Sequence, residues 1–263
     1  MILSNAQRHS RRDAVRALGA GLVASLTAPL LGHPLHANER LHRQELGRLT
    51  TRYRAPRDST EPGLHALGIR KGRDGVLYLP PQYRRDTPIT LVLLLHGAGG
   101  SGSGISQRFR AYADELGIGF VAPDSREVSW DRADRLTSDV EFIDQALAEA
   151  YRRINTIPDR LRIAGFSDGA SYSLAVGLTN GDLFGRILAL SPGYLGSAQE
   201  RGKPAVYITH GTGDEILPID RTSRRIVPML QRAGYSVEYH EFDGKHETPP
   251  AVCRPGFQWL LRA

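Results

Sequence analysis

Residues 162–171 read RIAGFSDGAS, and the reading of this decamer decides the fold. LRIAGF (161–166) has the character of a buried strand, and residues 170–179 form an Ala-rich, helix-compatible stretch. Between them Gly165-Phe166-Ser167-Asp168-Gly169 has the G-x-S-x-G spacing of a nucleophile elbow. That spacing has a mechanical reason. A strand that turns straight into a helix leaves the central serine strained and exposed, and flanking glycines remove the side chains that would collide across the turn. The helix beyond offers free N–H groups and a positive dipole end, which favour a developing oxyanion. The pentapeptide alone is a weak signal, because glycine and serine are common. Its place between a strand and a helix strengthens it.

Working outward, strands and helices alternate. GLHALGI (63–69) and DGVLYLP (74–80) read as two short strands that can form a hairpin. ITLVLLLHG (89–97) and IGFVAPD (118–124) are continuous apolar runs, the pattern of strands buried on both faces. Residues 105–116 carry Phe109, Tyr112, Ala113 and Leu116 on one side of a helix, and 138–154 carry Val140, Ile143, Leu147 and Tyr151 on one face of another. RILALSP (186–192), AVYITHG (205–211) and VEYHEFDG (237–244) are further strands, with helices expected over 221–233 and 251–261. Such alternation predicts an α/β fold: a mostly parallel central sheet with helices on both faces and an antiparallel N-terminal edge. Open sheets of this kind hold ligands at the C-terminal ends of their strands. The residues expected there are His96, Asp124, Ser167, Ser191, Asp214 and His246, so a serine, an aspartate and a histidine share one rim in that chain order.

A Gly-rich segment, LLLHGAGGSGSG (93–104), follows the first long apolar strand. It lacks the lysine of a phosphate-binding loop and the acidic partner of a dinucleotide fold. It suits an oxyanion loop, with the backbone N–H groups of Ala98 and Asp168 as donors. The histidines are scattered and neither H-E-x-x-H nor C-x-x-C occurs, so neither a metal site nor a cofactor is expected. The single cysteine, Cys253, excludes an intrachain disulfide and reads as a small hydrophobe in the last helix. The net charge of +6 comes half from residues 1–37, and no basic stripe interleaved with aromatics supports nucleic-acid binding.

Four motifs in order, HGAGG (96–100), GFSDGAS (165–171), HGTGDEILP (210–218) and FDGKHETPP (242–250), resemble the α/β-hydrolases. The resemblance is to the phospholipase/carboxylesterase group of serine esterases, and secondarily to polyhydroxybutyrate-depolymerase-like and feruloyl esterases. It runs from about residue 63 to the C-terminus. It implies Ser167 as nucleophile, Asp214 as the acid and His246 as the general base. Asp220 and Asp243 remain alternative acids and His96 an alternative base, while Ser191 reads as a turn residue. Trp130, in the loop after FVAP, either lines the acyl or alcohol pocket or caps the core, and Tyr194 is a weaker pocket candidate. The substrate implied is an ester, small or polymer-borne. A peptidase or a catalytically silent binding protein on the same fold is the alternative. Oligomeric state is not legible.

Residues 1–37 have a basic start, a weakly apolar middle and Ala37 near the end, the layout of an export signal. Ser10-Arg11-Arg12 is similar to a twin-arginine signal, although Ala14 and Val15 stand where that pattern prefers Phe and Leu. A periplasmic or secreted location follows as an expectation, with no stable membrane insertion after removal of the signal. Residues 38–62 are polar and read as an exposed N-terminal arm ahead of a catalytic domain spanning 63–263.

Overall fold

The structure, a computed structural model, describes residues 47–131, 138–196 and 200–262. The expected export signal and the start of the arm lie outside these residues. Eight strands form one sheet: β1 (Gly63–Ala66), β2 (Gly75–Leu79), β3 (Ile89–Leu95), β4 (Ile118–Pro123), β5 (Thr156–Phe166), β6 (Arg186–Leu190), β7 (Ala205–Gly211) and β8 (Val237–Phe242). Their order is β1-β2-β4-β3-β5-β6-β7-β8. β1 and β2 form the antiparallel hairpin, and β2 lies antiparallel on β4. All pairings from β4 through β8 are parallel. The helices are α1 (Gly102–Leu116), α2 (Ser138–Arg153), α3 (Asp168–Thr179), α4 (Ser223–Arg232) and α5 (Pro250–Leu260).

The wholly apolar run of β3 feeds two cores, because successive side chains point to opposite faces. Leu91, Leu93 and Leu95 join Val140, Ile143 and Leu147 of α2 and Ile226 and Leu230 of α4 on one side. Val92 and Leu94 join Ile105, Phe109 and Tyr112 of α1 and Phe257 and Trp259 of α5 on the other. Each fully buried leucine of this kind contributes roughly 1.5–3 kcal/mol relative to an exposed one. Burial on both faces of the sheet leaves the loops at its two ends as the places where polar groups gather.

Several boundaries differ from expectation, among them the starts of one helix and one strand. Helix α1 starts earlier, at Gly102, because the Ser101 hydroxyl accepts a hydrogen bond from Gly104 N–H and caps it. β5 starts at Thr156, which pairs with Ile89 before a register shift brings Leu161 opposite Leu91. Most of the described arm is exposed, and its start is anchored to the domain. Leu49 is buried, and its N–H donates to the Asn180 side chain at 2.9 Å. The N–H groups of Thr50 and Thr51 donate to Asp144 of α2, and Tyr53 meets Tyr151 edge to face. Part of the arm's polar composition serves hydrogen bonds to distant side chains, while most of residues 50–62 faces solvent.

Candidate active site

The elbow forms at the end of β5. Ser167 has φ 60° and ψ −121°, a region that L-residues avoid, and α3 begins at the next residue. The glycines are there for space. A Cβ on Gly165 would come within 2.2 Å of Gly169 O, and one on Gly169 within 2.3 Å of Leu95 O. Helix α3 thus packs tightly against β3 and β5 and aims its N-terminus at the rim. Among the described residues Ser191 is the only other non-glycine with positive φ, at 53°, and it too ends a strand of the rim.

The structure brings Ser167, His246 and Asp214 together. The His246 Nε2 lies 2.8 Å from Ser167 Oγ, and its Nδ1 lies 2.6 Å from Asp214 Oδ2. Nδ1 faces an oxygen that only accepts, so it carries the proton, and Nε2 is left to accept from the serine hydroxyl. Phe166 supports the imidazole, with ring centroids 4.8 Å apart, and the Arg108 guanidinium lies over the Phe166 ring at 5.4 Å from its centroid. Asp214 is buried, and its other oxygen accepts from Ile216 and Leu217 N–H at 2.9 and 2.8 Å. Burial by itself would raise its pKa. The Leu217 N–H and the His246 contact outweigh burial and hold the carboxyl below its usual range. The alternative acids sit elsewhere: Asp243 is exposed, and Asp220 is paired with Arg224.

The Gly-rich loop lies against the serine, since a Cβ on Gly97 would approach Ser167 Cβ to 3.3 Å. Several of its amides are committed. Ser167 N–H donates to Leu190 O, Gly99 N–H to Val128 O and Gly100 N–H to Gly97 O. Among the described residues the N–H groups of Ala98 and Asp168 make no such bond. Asp168 opens α3, where an N–H has no partner within the helix. His96 is buried in the loop: its Nδ1 donates to Gly97 O and its Nε2 accepts from Ser125 N–H at 3.0 Å. Burial lowers its pKa. His96 therefore holds the loop and faces away from chemistry. Arg73, from the turn between β1 and β2, ties the same loop down through Gly100 O and Ser125.

Trp130 is 4% exposed, stacks on Tyr172 at 5.2 Å and donates its ring N–H to His96 O. It caps the core. Tyr194 is exposed at the rim, its N–H reaching the hydroxyl of Ser171, one turn beyond Ser167. Two contributions escaped the sequence reading. The Asp168 side chain accepts from Ser129 Oγ and Trp130 N–H at 2.6 and 3.0 Å, so it clamps the loop after β4. His210, in the HGTGD motif, lies against Asp214. Cys253 is buried and its thiol is pushed up to about 12 by burial, so it stays protonated at neutral pH. Among the described residues no group of three or more His, Cys, Asp or Glu could hold a metal, and no helix is long and apolar enough to cross a membrane.

The phospholipase/carboxylesterase family model matches residues 131–254, which hold the serine, the aspartate and the histidine. The chain is 30% identical over 158 residues to a probable feruloyl esterase C of Aspergillus terreus, covering 57% of each protein. It spans well under two thirds of the length of this and the related Aspergillus proteins it matches, at 57–60%. The crystal structure of esterase PE8 superposes with a TM-score of 0.58 at 23% identity, over 71% of this chain and 96% of that one. An S-formylglutathione hydrolase from Staphylococcus aureus gives 0.60 at 18% identity, over 80% of this chain and 100% of that one. At these identities the two structures speak to the fold. The chain has the fold of these α/β-hydrolase esterases and, over residues 131–254, is similar to the phospholipase and carboxylesterase family.

Proposed function

We propose that the protein is a serine hydrolase that cleaves carboxylic esters through an acyl-enzyme. The observation that carries this reading is the chain of contacts from Ser167 Oγ through His246 to Asp214, at 2.8 and 2.6 Å. Ser167 Oγ attacks the ester carbonyl carbon while its proton passes to His246 Nε2. The carbonyl oxygen takes up the negative charge and receives the N–H groups of Ala98 and Asp168. Asp214 keeps the imidazole in the Nδ1–H tautomer and stabilises its cation. Collapse of the tetrahedral intermediate expels the alkoxide, which takes the proton from His246. Water then attacks the acyl-serine by the same route in reverse, releasing the acid and restoring Ser167. The exposed Tyr194 belongs to the substrate side of this rim.

The likeness to probable feruloyl esterases supports esters of aromatic acids, including polymer-borne ones, as substrates. Such a substrate fits the second part of the proposal, export by a twin-arginine-type signal in residues 1–37. The test is labelling with a fluorophosphonate probe together with turnover of p-nitrophenyl acetate, butyrate and decanoate and of methyl ferulate. Labelling at Ser167 that disappears in Ser167→Ala, with loss of turnover, is the expected result. A purified protein that neither labels nor hydrolyses any of these esters overturns the reading. For export, the mature N-terminus should lie near Asn38; an intact Met1 in the periplasmic fraction refutes cleavage.

A further inference from the structure

We propose that His210 is a positioning residue for the catalytic acid: as a neutral imidazole it donates from Nε2 to the carboxylate oxygen of Asp214 that His246 also engages. The proposal rests on the esterase reading of Ser167, His246 and Asp214. His210 is the penultimate residue of β7, four residues before Asp214, and its side chain is fully buried. Its Nε2 lies 2.8 Å from Leu217 O and 3.1 Å from Asp214 Oδ2. Both oxygens only accept, so Nε2 must carry a proton. Its Nδ1 lies 2.7 Å from Ser223 Oγ, a hydroxyl that can donate or accept. Complete burial disfavours the imidazolium, and His210 is held below the ordinary histidine range. The neutral Nε2–H tautomer, with Ser223 donating to Nδ1, is the one state that satisfies every contact.

The consequence for Asp214 is a full set of donors. Oδ1 accepts from Ile216 and Leu217 N–H, and Oδ2 accepts from His246 Nδ1 and His210 Nε2. The carboxylate cannot rotate about its Cβ–Cγ bond without breaking bonds at both oxygens. The same N–H of His210 that reaches Oδ2 also reaches Leu217 O, so one imidazole joins the acid to the turn that supplies two of its other donors. Ser223, at the start of α4, fixes the tautomer from behind. Asp214 is thereby aimed at His246 with a preset direction, and less of the orientation must be won during the reaction.

Two experiments decide this. In the parent protein, 15N NMR of the imidazole nitrogens should show His210 with a protonated Nε2 and an unprotonated Nδ1 at neutral pH. An unprotonated Nε2 overturns the proposal, whatever the turnover. Second, His210→Phe keeps the buried ring but removes the donor, whereas His210→Gln places an amide N–H at the same reach. We expect kcat of the Phe variant to fall roughly tenfold or more with KM within about threefold, and the Gln variant to recover to within about threefold of the parent. A folded Phe variant with parental kcat, or a Gln variant as impaired as the Phe variant, overturns it. Should His210→Phe fail to fold, the tautomer in the parent protein still decides. Full turnover in Ser167→Ala would instead defeat the esterase reading and leave the tautomer result standing.

Discussion

Replacing Ser167 by glycine should give a more stable protein than replacing it by alanine, while both changes abolish the proposed activity. Ser167 holds φ 60° and ψ −121°. A side chain in such a sparsely populated region costs about 1–3 kcal/mol. Glycine escapes this cost but loses more backbone entropy on folding, roughly 0.5–1 kcal/mol relative to alanine. Alanine is the right comparison, because Ser167→Ala and Ser167→Gly both remove Oγ and its contact with His246 Nε2, and alanine alone keeps the Cβ. The glycine variant should therefore exceed the alanine variant by about 0.5–2 kcal/mol. For a domain of this size each kcal/mol moves Tm by roughly 2–4 °C. Urea midpoints and thermal scans on the two variants, with unchanged m-values, measure the difference. An alanine variant as stable as the glycine variant, or more so, would mean that the elbow stores no backbone strain and that the glycines beside it serve packing alone.

Asp214→Asn should lower kcat by roughly 10³–10⁴-fold, because an amide can present the wrong group to His246 Nδ1, whereas Asp243→Asn should leave it within about threefold; steady-state kinetics on both variants check the choice of acid. Asp168→Ala should reduce kcat/KM by roughly tenfold and make the loop around residue 130 more sensitive to limited proteolysis, since the carboxylate holds Ser129 Oγ and Trp130 N–H. His96 and His210 both have pKa values lowered by burial, so each contributes stability that is complete above the unfolded histidine value of about 6.5 and lost as pH falls towards the folded values; urea midpoints should therefore drop between about pH 6.5 and 5, and His96→Gln should flatten that slope. Asp182 is lowered to about 2 by its hydrogen bond to Arg48, so its contribution is present above about pH 4 and lost as pH falls towards 2; in Arg48→Ala, amide exchange around Leu49 should be fast already at neutral pH.

Much of this architecture is legible in the sequence for one reason. Strands buried on both faces must be continuously apolar, so β3 and β4 announce themselves, and the residues that follow them can be placed on the rim by counting. Ser167, Asp214 and His246 are found in that way. What counting along one strand does not give is a contact across turns. The Asp168 carboxylate works on a loop 38 residues away, and nothing in GFSDG distinguishes a clamp from a solvated side chain. His210 stands within HGTGD with no pattern in the sequence that pairs it with Asp214. Its contact with Asp214 arises because the chain folds back through Leu217, a turn whose sequence, EILP, carries no tight-turn signature. The anchoring of the arm is hidden for a similar reason: its anchors are the sparse Leu49 and Tyr53, and its main-chain partners, Asn180 and Asp144, lie 131 and 94 residues further on.

That docking has a bearing on how the molecule can be mounted. Leu49 is fastened to Asn180, the residue that closes α3, and Ser167 stands at the opening of the same helix. Twelve residues separate the two ends, about 18 Å at 1.5 Å per residue. A tether joined ahead of residue 47 therefore reaches the domain at the end of α3 remote from the serine. A support, a carrier or a neighbouring protein attached there would leave the reactive rim turned outward, open to a substrate too large to enter a pocket.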